Sequence, residues 1–120
     1  MDELAQVLDR EQRQLELLLF RLVTARQLSE AGETRFLPWA AAEVERMLER
    51  VHEAELVRGV VTDRVAAYLG VDRDRATLRD LAELVGEPHR TVLLEHRDTF
   101  LRLLAEIEEA SRCFRAVAAA

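Results

Sequence analysis

The chain has 120 residues, of which 49% are hydrophobic, 33% charged and only 5% aromatic, and its net charge is −6. That acidic balance argues against general nucleic-acid binding, which needs a basic face to neutralise phosphate. The length bounds one domain over residues 1–120 with a core of its own, Cys113 has no partner for an internal disulfide, and no apolar run approaches the ~20 residues that span a bilayer.

All 17 basic residues are arginine, which reads as genomic base composition rather than function. Asp2, Glu3, Asp9, Arg10 and Glu11 break up the opening turns, so no signal-peptide core is expected there. A soluble, cytoplasmic protein is the expectation. Few aromatics and breakers among many Leu, Ala, Glu and Arg residues predict an all-α fold.

The first helix is predicted from about residue 2 to 31. Leu4, Leu8, Leu15, Leu18, Leu22 and Ala25 fall on a/d spacing, with Glu11 the one polar intruder. Leu17, Leu19 and Phe20 lie off that seam, and a helix apolar on two sides needs two partners. A third helix is expected to cover them. Ala31-Gly32-Glu33 then breaks the pattern, and so short a link between long helices predicts an antiparallel hairpin. Thr34 or a residue shortly after it is the expected cap of the second helix, whose regular turns begin as late as Leu37.

That second helix, over about 35–69, carries the stripe Leu37, Ala40, Val44, Met47, Val51, Ala54, Arg58, Val61, Val65 and Tyr68. An a/d seam of such length makes it the expected organising element, with Pro38 early and Gly70 just past the end. Trp39 is expected to plug the hairpin end of the bundle. Arg58 occupies an a position, which is costly unless its head finds a carboxylate. Folding the chain back near residues 32–34 brings position 55 opposite Glu11. A buried or half-buried Glu11–Arg58 pair that fixes register is therefore expected. Gly59 beside it marks a bend or a close approach.

A charged connector, Gly70 to Arg75, precedes a two-turn helix over about 77–85 whose Thr77-Leu78-Arg79-Asp80 start reads as a capping-box variant. Pro88 is expected at the first position of a last helix running to about 117, with Glu87 as its cap. Its stripe is Leu93, His96, Phe100, Leu103, Ile107, Ala110, Phe114 and Val117, with the turns beyond Ala110 frayed unless something is bound. The predicted architecture is a long antiparallel helical hairpin plus a short helix and a long C-terminal helix, an elongated three-helix, coiled-coil-like bundle.

Motifs for catalysis are missing. Glu49-Arg50-Val51-His52 fits one Glu-x-x-His of a di-iron bundle, but such a site needs two, and both residues lie off the Val51 seam. His89 and His96 are too far apart along one helix for one ion, and Cys113 on an apolar helix tail reads as a passive thiol. No enzyme, metal or cofactor is predicted.

Several stretches together resemble the FlgN family of flagellar export chaperones in its actinobacterial form. They are Leu15 to Leu22, Ala31 to Arg35, Ala54 to Arg58, Val65 to Val71, Thr77 to Ala82, and Glu95-His96-Arg97. The resemblance implies a cytoplasmic chaperone of flagellar type III export. Such a protein keeps the hook–filament junction proteins FlgK and FlgL unassembled and brings them to the export gate protein FlhA. It also implies that the client's C-terminal helical segment docks on the chaperone's last helix, here through Leu103, Leu104, Ile107, Ala110, Phe114 and Val117. The alternative reading is a structural or adaptor hairpin, a homo-oligomer formed through the same stripes, with no export role.

Overall fold

The computed structural model describes residues 2–72 and 77–119, the side chains of 117–119 excepted, and every regular element in them is helical. Helix α1 spans Asp2–Glu30, α2 Leu37–Leu69, α3 Leu78–Val85 and α4 His89–Ala119, with a 3-10 turn over Thr34–Phe36 leading into α2. The body measures 54 × 22 × 21 Å. Its length is that of α2, since 33 residues rise about 50 Å. Arg73, Asp74 and Arg75 of the connector lie outside the described residues, as does the side chain of Val117.

Local chemistry sets the helix ends. Gly32 (φ 75°) closes α1 and Gly70 (φ 73°) closes α2 in the left-handed conformation that glycine adopts at no steric cost. Each sits in a Schellman pair. Gly32 N–H donates to Ser29 O and Glu33 N–H to Leu28 O; Gly70 N–H donates to Ala67 O and Val71 N–H to Ala66 O. Thr77 caps α3, its hydroxyl accepting from the Asp80 N–H at 3.1 Å. Two expected starts shift. Thr34 opens the 3-10 turn rather than capping α2, whose first residue follows Phe36 with no side-chain cap. Pro88 stands just outside α4, and the Glu87 carboxylate instead accepts from the Thr91 hydroxyl one turn on.

The hub of the bundle is α1, not the longer α2. Leu4, Leu8, Leu15, Leu18 and Leu22 are all at most 2% exposed, because α2 covers one flank of their stripe and α4 the other. Burying each contributes roughly 1.5–3 kcal/mol. Ion pairs Arg64–Glu3, Arg58–Glu11 and Arg21–Glu43 step down one helix as they climb the other, so α1 and α2 are antiparallel. Helix α4 runs parallel to α1: His96 lies beside Asp9 and Gln12, and Ala105 to Ala110 lie alongside Leu19, Val23 and Arg26. Helix α3 docks on α4 through the fully buried Leu81 and Ala82.

Three expectations about surfaces change. Of Leu17, Leu19 and Phe20, Leu19 alone packs on the core, while Leu17 and Phe20 remain exposed because α4 lies on the other flank. Trp39 does not plug the bundle: it is 71% exposed and leans on Phe36 at 5.8 Å between ring centroids. Helix α4 stays helical to Ala119, and Phe114 packs against the core.

Candidate functional site

Flanking α1 on two sides, α2 and α4 hardly touch one another. Three helices arranged so occupy three corners of a four-helix bundle and leave the corner opposite α1 open. A groove of about 430 Å3 fills that corner. Glu11 and Leu15 of α1 form its floor, and Glu55, Arg58 and Thr62 form the α2 wall. Arg97, Phe100, Leu101 and Leu104 form the α4 wall, and Thr77 with Leu78 close one end. Leu101 and Leu104 are 54% and 48% exposed, so the α4 wall presents unburied leucine to the opening.

Polar atoms on the floor are short of partners. Arg58 Nε approaches Glu11 Oε2 at 2.7 Å, yet the two are misaligned, so each buried atom lacks a proper hydrogen bond, as does the Thr62 hydroxyl. Burial lifts the Glu11 carboxyl above its ordinary range, the Arg58 charge pulls it back, and the negative charge of Glu55 lifts it further. Glu55 is exposed and has no ion-pair partner among the described residues. Arg97 sits 3.3 Å from the Asp98 carboxylate.

The residues assigned by resemblance divide between two faces of α4. Leu103, Ile107 and Ala110 are buried against the rest of the bundle, so they hold α4 in place and offer no free surface. Phe114 is half-buried on the same side. Leu104, rotated about 100° from Leu103, is the one that opens on the groove. Leu101 belongs to the groove and escaped the sequence reading, and Glu55, read there only as a neighbour of Arg58, lines it too. The signal for Leu101 was a second row along α4, Leu94, Leu101 and Leu104 at heptad-like spacing, beside the main stripe.

Other candidates take structural positions. His96 is buried, its Nδ1 3.1 Å from Gln12 Oε1 and its Nε2 3.2 Å from Asp9 Oδ1, and it ties α4 to α1. The Gln12 amide is oriented by donating its Nε2 to Glu16 at 3.0 Å. Glu49 and His52 are exposed on α2, and Cys113 is a half-buried free thiol. No helix among the described residues is long and apolar enough to cross a membrane. Comparison with protein-family models, with curated proteins and with solved structures finds no match.

Proposed function

We propose that this protein is a helix-holding chaperone of flagellar type III export. It takes the C-terminal helical segment of a hook–filament junction protein, FlgK or FlgL, into the groove between α2 and α4 and delivers it to FlhA. The observation that carries this reading is the open corner of the bundle, walled by exposed Leu101 and Leu104. An amphipathic helix laid there would complete a four-helix arrangement and hide its own apolar face, which is what stops a polymerising segment from assembling early. The sequence resemblance supplies the client class.

Docking then falls on Leu101 and Leu104, while Leu103, Ile107 and Ala110 act from behind by anchoring α4. Co-purification with the nearest-encoded junction protein tests it. Wild type and Leu17→Glu, altered on the far flank of α1, are expected to hold the client one to one, and Leu104→Glu to lose it while remaining folded. Wild type that captures no junction protein, or loss in both variants, refutes the proposal.

A second reading, self-association without export, is favoured by Leu56, Val57 and Val60, which lie together and exposed on α2. A stable dimer in sedimentation, dispersed by Val60→Glu and indifferent to junction proteins, would decide for it.

A further inference from the structure

The groove of the proposed client site has a charge imbalance at its floor. Glu11 and Glu55 line the groove with carboxylates, the Arg58 guanidinium lies against Glu11 at 2.7 Å and makes no ion pair with Glu55, and Arg97 across the opening lies beside Asp98. Counting the Arg97–Asp98 pair as neutral leaves one unmatched negative charge on the α2 side. Burial already lifts the carboxyl of Glu11, which is only 3% exposed, and the charge of Glu55 lifts it further. Two buried oxygens there, Glu11 Oε2 and Thr62 Oγ1, make no well-aligned hydrogen bond, although Arg58 Nε lies 2.7 Å from the first.

Resting on that reading of the groove, we propose that its occupant is an amphipathic helix with one basic side chain, lysine or arginine, set within its apolar stripe, and that this cation pairs with Glu55 on the α2 wall. A helix apolar throughout its stripe would strip water from the exposed Glu55 and leave its charge unpaired, a desolvation cost. An acidic side chain at that point would add a third carboxylate. A lysine ammonium carries three donors and an arginine five, enough to serve both oxygens of Glu55. The leucines of the α4 wall supply affinity, and Glu55 on the α2 wall sets which helix is accepted and in which register, as a polar residue at an a position does in a coiled coil.

The test uses the full chain and three labelled synthetic amphipathic helices of about six turns. They are identical except at one central position of the apolar stripe, which is lysine, norleucine or glutamate. Binding is followed by fluorescence anisotropy at two salt concentrations, with Leu104→Glu as the control for groove occupancy. The lysine peptide is expected to bind wild type about tenfold more tightly than the norleucine peptide, the worth of one charge-assisted hydrogen bond, and the glutamate peptide most weakly. Glu55→Gln is expected to erase most of the lysine preference, and Glu55→Arg to turn it toward glutamate. If all three peptides bind equally and Leu104→Glu abolishes binding, the groove reading stands and the cation inference is overturned. Failure of every peptide to bind wild type overturns both.

Discussion

Arg58 and Glu11 allow the energetics of the bundle to be tested with two single substitutions that have opposite expected outcomes. Glu11 is 3% exposed and Arg58 half-buried, with their charged atoms 2.7 Å apart. Arg58→Ala removes the cation paired with a carboxylate that burial, and then the charge of Glu55, already disfavours. Breaking a buried pair from one side costs roughly 3–5 kcal/mol. The groove admits water to Glu11 and the Arg58 head is partly solvated, so about 2–3 kcal/mol is expected at pH 7. Glu11→Gln keeps the shape, removes the buried charge and leaves Arg58 able to reach water, so it is expected within about 1 kcal/mol of wild type.

The pH dependence gives the sign. The Glu11 carboxyl titrates above its ordinary 4.5 in the fold. Its contribution is therefore fully present below that value and is lost as pH rises through the folded value. Without Arg58 the folded value climbs further. The deficit of Arg58→Ala relative to wild type must then shrink as pH falls from 7 toward 5, because the other carboxylates cancel in the difference. Urea unfolding followed by far-UV circular dichroism at both pH values measures it. A deficit that stays constant with pH, or a Glu11→Gln variant as unstable as Arg58→Ala, would show that the pair contributes plain attraction and that burial of Glu11 is not the governing cost.

Neighbouring leucines on α1 should separate sharply: Leu18→Ala, at 2% exposure, is expected to cost about 2–5 kcal/mol, and Leu17→Ala no more than about 0.5 kcal/mol, both read from urea midpoints. Glycines should divide by backbone rather than by space, since a Cβ meets nothing within 4 Å at either Gly70 or Gly59. Gly70→Ala is expected to lose about 1–2 kcal/mol because its φ is positive, while Gly59→Ala within α2 gains up to about 1 kcal/mol; the same sign for both in thermal melts would contradict this. Replacing His96 by Leu removes the side-chain ties to Gln12 and Asp9 and should cost about 1–2 kcal/mol, with hydrogen exchange rising first in α4.

Much of the helical architecture could be read from spacing alone, since each long stripe repeats at a/d intervals and a glycine follows each of α1, α2 and α3. The Glu11–Arg58 contact was legible too, because a short link fixes which residues of a hairpin face each other. Pattern does not say which stripe meets which. Helices α1 and α2 carry equally good seams, and only the chain's return through α3, which lays α4 along the far flank of α1, makes α1 the hub. The groove was hidden for a related reason. Leu103 and Leu104 are adjacent letters, yet one turns into the core and the other toward solvent, and a stripe read by spacing favours the first. Trp39 was misplaced because an aromatic near a turn looks like a plug, whereas the tight 3-10 approach over Thr34–Phe36 turns it outward.

The short helix α3 has a consequence for what the groove can hold. Thr77 and Leu78 wall off the groove at the end where α1 begins, and the opposite end runs out toward the hairpin. A channel blocked at one end has no room for a chain to pass through. Whatever helix lies in it must stop or turn sharply at α3 and leave past the hairpin. If the groove holds the proposed client helix, such a seat suits the last helix of the client's chain better than an internal one, with the free tip against α3 and the tethered remainder outside.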